Sequence, residues 1–199
     1  MEIVESVAVG DLTLEISRPA EPESLIDEEH FARDEFLPYW AELWPSGLAL
    51  ARHVVALPLR GVTVLELGCG LGLPSLAASL SGANVLATDW AEDALGLLRR
   101  NAERNGAHLE VAHADWREPS LLGVHDLVLA ADVLYEARNA EPLLAALETT
   151  VAPGGSFLLA DPGRRHAPAF FAAAGRAGWR VTTTADPLLP RGGISALVR

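Results

Sequence analysis

Apolar positions along this chain switch between short strand-like runs and segments of helical period, and the switching predicts an α/β architecture. At the start, VESVAV and LTLEI flank Gly10 and Asp11, a hairpin signal. Residues 18–38 have no clear apolar period and read as a loop or short helix. After Pro45, SGLALARHVVAL puts Leu48, Leu50, Ala51, Val54, Val55 and Leu57 on one broad face. That spacing predicts an amphipathic helix capped by Ser46 and ended by Pro58 and Gly61.

From Val62 onward strands and helices alternate. VTVLELG reads as a strand, Leu73–Leu80 as a helix with Pro74 in its first turn, ANVLATD as a strand, and Ala91–Asn105 as a helix stopped by Gly106. Leu109–His113 is a further strand, and HDLVLAADVLY a continuous apolar one of the kind parallel sheets bury on both faces. Pro142–Thr150 is helical, Pro153-Gly154-Gly155 turns the chain, SFLLAD is a strand, and Phe170–Ala177, GWRVTTTA and GISALVR supply a helix and two strands. The repeat predicts a doubly wound, Rossmann-like sheet of seven mostly parallel strands with helices on both faces, plus the N-terminal β-hairpin. The 199 residues read as a single domain, with a hairpin and acidic segment at 1–37 and a ligand-binding core at 38–199.

Chemistry concentrates at one turn. Gly68, Gly70 and Gly72 alternate between the first core strand and its helix, where backbone can approach a ligand at a helix N-terminus. Asp89, on the end of the next strand, stands where a carboxylate accepts hydrogen bonds from ribose hydroxyls. Together they predict a nucleoside-containing cofactor. The dinucleotide fingerprint needs its third glycine or alanine where this chain has Leu73, and Glu66, unwelcome beside a pyrophosphate, suits a cationic methionine amine or sulfonium. That favours S-adenosylmethionine.

At this point the chain resembles the class I, seven-β-strand S-adenosylmethionine-dependent methyltransferases, whose sheet has an antiparallel last strand. Upstream, PYWAELWPSG (residues 38–47), together with LELGCGLG, ADW, DVLY and DPGR, resembles the branch that methylates lysines in non-histone proteins. Asp161-Pro162-Gly163-Arg164 and the WP-x-G segment are most similar to its electron-transfer-flavoprotein β-subunit lysine methyltransferases. The resemblance implies that Asp132 and Tyr135 of DVLY lie at the catalytic centre. It departs at Ser46-Gly47, where those enzymes usually carry two glycines, and in the first motif and C-terminal segment.

Ligands of open α/β sheets bind beyond the strands' carboxyl ends, and acidic residues follow five strands in turn: Glu66, Asp89, Asp115, Asp132 and Asp161. Asp89 is expected to hold the ribose, Asp115 the adenine amine, and Trp116 or Trp90 a face of the adenine ring. Trp44 is expected near the cofactor's methionine end, with Tyr39 and Trp40 toward the substrate. Asp132 would position the acceptor amine and accept its hydrogen bonds, with Tyr135 orienting it. The leading reading is N-methylation of a protein lysine. The alternatives are a small-molecule methyltransferase and a non-catalytic S-adenosylmethionine-binding module.

Composition narrows the partners. A formal charge of −12 argues against nucleic acid, and no apolar run approaches a membrane span. The cluster Glu21, Glu23, Asp27, Glu28, Glu29, Asp34 and Glu35 reads as a solvated acidic segment or as a steering surface for a basic protein. All 15 basic residues are arginine. The single Cys69 packs in the glycine loop and suits a reducing compartment; with no signal peptide in MEIVESVAVG, a cytoplasmic monomer without a metal site is expected.

Overall fold

Alternation within the apolar runs decides the layering. In the computed structural model, which describes residues 1–22 and 38–199, Thr63–Leu67 (β3), Asn84–Asp89 (β4), Glu110–His113 (β5), His125–Ala131 (β6) and Val151–Asp161 (β7) pair in parallel. Gly193–Val198 (β9) inserts antiparallel between β7 and Arg180–Thr184 (β8), giving the order β5-β4-β3-β6-β7-β9-β8. Val64, Leu127, Leu129, Leu158 and Ala160 face one core. Their neighbours Leu65, Leu67, Val128, Ala130, Phe157 and Leu159 face the other. Side chains two apart on a strand share a face, so one unbroken apolar run serves two cores.

The first core is covered by helices Pro45–Val55 (α1), Leu73–Leu80 (α2) and Glu92–Asn105 (α3), the second by Ala140–Thr150 (α4) and Ala167–Arg176 (α5). Glu2–Val9 (β1) and Leu12–Pro19 (β2) form a separate two-stranded ribbon turned at Gly10-Asp11, whose Val7, Val9, Leu14 and Ile16 join the first core. The ribbon is tied down by side chains of α3. Asn101 Oδ1 accepts the Ser17 N–H at 2.8 Å while its amide donates to the Ser17 carbonyl at 3.1 Å, and Asn105 repeats the pattern with Glu15 at 2.8 and 3.0 Å. Four residues apart, the two asparagines share one helix face and reach alternate residues of β2.

Several local expectations need correction. Helix α1 starts from Trp44 as N-cap, and the Ser46 hydroxyl, read above as its cap, is buried without a hydrogen-bond partner. The apolar run through DVLY stops being strand at Ala131. Asp132 turns the chain there with φ 58, the sole left-handed non-glycine among the described residues. Pro153-Gly154-Gly155 does not end a segment but lies within β7, where the pairing with β6 jumps from Val151 to Ser156. The acidic cluster from Glu23 to Glu35 lies outside the described residues. Among the described residues no helix is long and apolar enough to cross a membrane.

Candidate functional site

The carboxyl ends of β3, β4, β5 and β6 open onto a cavity of about 520 Å³, a size that suits a small ligand with its reaction partner. Every residue singled out above for cofactor, substrate or reaction lines it. Its floor is the turn after β3. Gly68, Gly70 and Gly72 have φ values of 68, 49 and 78, in the left-handed region where a side chain is strained. The space around them is filled by the protein itself, since a Cβ on Gly68 would stand 2.8 Å from the Trp116 ring and one on Gly72 2.2 Å from Leu98. These glycines therefore serve wall-to-wall packing as well as access.

Three carboxylates line the side nearest the glycine turn, each already anchored. Asp89 Oδ2 accepts the Gly70 N–H at 2.8 Å and Oδ1 the Ala91 N–H at 2.9 Å, joining the glycine turn to the end of β4. Burial raises its pKa against the pull of those N–H groups. Glu66, on the α2 side of β3, is buried beneath the first turn of that helix, where Oε2 accepts the Ser75 N–H at 2.9 Å and the Ser75 hydroxyl. It is thus a cap for α2, a part the sequence reading did not foresee. Burial pushes its pKa up to about 8, against those Ser75 bonds. Asp115 accepts from Arg117 through backbone N–H at 2.8 Å and Nε at 2.6 Å. Burial, the largest single influence, raises its pKa, and the several Arg117 contacts together outweigh it to leave the carboxyl below its ordinary value. Trp116 lines the wall beside Gly68, and Trp90, at the end of β4, is 46% exposed.

The opposite wall is aromatic. Tyr39, in the short 3₁₀ turn Tyr39–Ala41, meets Trp44 edge-on at 6.1 Å and Tyr135 at 5.5 Å between ring centroids. Trp44 Nε1 donates to the Tyr39 carbonyl at 2.7 Å, fixing the segment's curl. Trp40 contributes backbone as well as ring, its carbonyl lying 3.1 Å from where a Gly70 Cβ would be. Burial, then Glu136, raises the Tyr135 pKa, so this phenol stays protonated at neutral pH.

Asp132 meets this wall but faces a partner that sequence reasoning missed. Arg164, in the loop after β7, places Nε 2.7 Å from Oδ1 and Nη2 3.1 Å from Oδ2. The available signal was an arginine three residues past the strand neighbouring Asp132's own. Asp161, at the end of β7, holds that loop by accepting the N–H groups of Gly163 and Arg164, each at 2.8 Å. The cavity thus joins a glycine turn with buried acids to an aromatic wall with a paired carboxylate.

Residues 39–175 match the family described as lysine methyltransferase. The electron transfer flavoprotein beta subunit lysine methyltransferase of Danio rerio is 39% identical over 131 residues, 64% of this chain and 51% of that protein. The histone-arginine methyltransferase METTL23 of Homo sapiens is 33% identical over 116 residues, 53% of this chain and 60% of its own. The matches therefore span about half the length of such relatives. A 16S rRNA methyltransferase of T. Thermophilus, solved in complex with AdoMet and guanosine, shares the fold with a TM-score of 0.68 at 19% identity over 98% of this chain and 49% of that one.

Proposed function

The chain belongs to the lysine methyltransferase family, and from that premise we propose that it transfers a methyl group from S-adenosylmethionine to a lysine side chain of a protein. The observation that carries this reading is the two-sided cavity, with the glycine turn, Glu66 and Asp89 on one side and Tyr39, Trp44, Tyr135 and Asp132 on the other. The donor supplies a methyl group on a sulfonium: the amine lone pair forms the N–C bond as the S–C bond breaks, the electron pair stays on sulfur, and a proton leaves the nitrogen for water. Asp89 would hold ribose hydroxyls, Asp115 the adenine amine, and Trp116 or Trp90 a face of the adenine ring. Glu66 and Trp44 face the cationic methionine end. Tyr39 and Trp40 would line the approach of the acceptor, while Asp132 and Tyr135 would hold and orient its nitrogen for in-line attack. The residues present fit such a donor, because buried Glu66 gains from a cation nearby and the Asp89 carboxylate has about four lone-pair sites, more than its backbone N–H bonds occupy.

The −12 charge favours a basic protein surface as acceptor, with the electron transfer flavoprotein β subunit, named for the relatives, as the first candidate. The test is incubation with methyl-labelled S-adenosylmethionine and that subunit or a whole-cell protein extract, followed by acid hydrolysis. Label recovered as methyllysine supports the proposal, and this chain, which contains no lysine, contributes none of it. Label recovered as methylarginine, or only in small molecules, overturns the acceptor assignment.

A further inference from the structure

The acceptor wall contains a charge pair whose construction goes beyond its own stability. Arg164 gives one N–H to each oxygen of Asp132, the two-pronged arrangement that fixes a carboxylate in orientation as well as position. The Asp132 side chain is 7% exposed and that of Arg164 37%, and both line the cavity. Each is held from behind. The left-handed backbone of Asp132, φ 58, is strained for a residue with a side chain; its N–H is retained by the Ala160 carbonyl at 2.9 Å, continuing the β6–β7 pairing. Arg164 leaves a turn that Asp161 fastens, and Gly163 in that turn has φ 92 with no space for a Cβ, which would lie 2.5 Å from the Arg191 carbonyl oxygen. A surface ion pair needs none of this.

The chemistry of amine methylation explains what such a pair does. A lysine nitrogen attacks only as the free base, yet its ordinary pKa is about 10.4, and a lone carboxylate beside it would raise that further. A carboxylate whose charge is cancelled by a guanidinium no longer favours the ammonium, while each oxygen keeps a lone pair for an amine N–H. We propose that Arg164 is a positioning residue of the acceptor wall, holding Asp132 in place and cancelling its charge so that the site receives a lysine side chain as the neutral amine. The inference rests on the lysine methyltransferase reading above.

The other charged and titratable groups facing this wall are Asp161 from β7, Tyr39 and Glu42 from the segment before α1, and Tyr135, Glu136 and Arg138 from the loop after β6. Asp89 and Glu66 stand across the cavity. Burial holds the Asp161 carboxyl above its ordinary value against the N–H bonds of Arg164 and Gly163, and its Oδ1 is turned onto those N–H groups in the loop after β7.

The experiment uses n-butylammonium as a probe of the lysine side chain, titrated by calorimetry into protein saturated with S-adenosylhomocysteine. Arg164→Ala and Arg164→Gln should bind the probe about tenfold more tightly than wild type near pH 7, and Arg164→Lys within about threefold of it. Adding Asp132→Asn to Arg164→Ala should return the affinity to the wild-type value. With a protein acceptor that takes up label, the rising limb of kcat against pH should move up by about one unit in Arg164→Ala and Arg164→Gln, return in Arg164→Lys, and leave the acceptor KM no higher. Unchanged probe affinity and an unmoved limb in charge-removing variants that still bind S-adenosylhomocysteine overturn the inference and leave the methyltransferase reading standing. Wild-type protein that does not bind S-adenosylhomocysteine overturns both.

Discussion

Binding of a cationic methionine end beside Glu66 should expel a proton. Burial places Glu66 at about 8, with the Ser75 bonds opposing and Asp89 adding a smaller push upward. At pH 7 such a carboxyl is protonated in about 90% of molecules. An opposite charge within a few ångströms lowers a carboxyl pKa by one to three units, and a shift of about two units releases about 0.8 proton at that pH. The ligand's own α-amino group, with an ordinary pKa near 7.7, takes back up to about 0.2, leaving a net release of about 0.6. Calorimetry with S-adenosylmethionine in buffers of different ionisation enthalpy reads this number directly. Glu66→Gln should abolish the release and leave only the small uptake. Equal proton numbers for wild type and Glu66→Gln would refute the reasoning and leave Glu66 as a helix cap alone.

The free protein carries the same group as a stability gradient of defined sign. Between the ordinary 4.5 and about 8, native Glu66 keeps a proton that the unfolded chain has released. Its contribution therefore falls as pH rises through that window, by up to about 1.4 kcal/mol per unit, and saturating cofactor should flatten the slope in urea titrations.

Asp132→Asn, which tolerates the left-handed backbone, should lose methyl transfer on the order of a hundredfold with near-normal S-adenosylmethionine affinity, and Tyr135→Phe less; full turnover in Asp132→Asn would remove the carboxylate from the reaction. Gly72→Ala should cost about 1 to 3 kcal/mol in urea unfolding, because φ 78 is strained and Leu98 occupies the methyl position. A neutral result would mean that the turn relaxes freely. Asn101→Ala should cost about 2 to 4 kcal/mol and speed amide exchange at Ser17, whose buried N–H and carbonyl lose their partner together. Unchanged exchange there would show that another group takes its place.

The sheet was legible because its signal is local. LVLAA and SFLLAD declare strands buried on both faces, and Gly106 after α3 and Pro74 within α2 mark helix ends by their own stereochemistry. What the sequence hid depends on distant partners. The left-handed turn at Asp132 rests on a bond to Ala160 and a pair with Arg164, and neither leaves a trace in the apolar run that carries straight on through DVLY. Ser46 has the identity of a helix cap but sits one residue inside the helix, after Trp44 and Pro45 have started it. Glu66 could be placed at a strand end by its spacing to the glycines. That it points under α2 onto Ser75 follows from strand alternation, yet the bond itself needs the helix docked. The acids of the site were readable as types, and their partners were not.

The asparagine clasp on the ribbon has a consequence for self-association. A two-stranded sheet exposes two rows of backbone donors and acceptors, and a free row is a template for a strand from another molecule. On β2 that row is closed at Glu15 and Ser17 by amides already bonded on both sides, and Pro19 offers no N–H at all. A passing strand therefore finds no continuous ladder along β2. Cutting Asn101 and Asn105 back to alanine would turn a sealed border into an adhesive one, and the same helix face that anchors the ribbon also guards the molecule against its own copies.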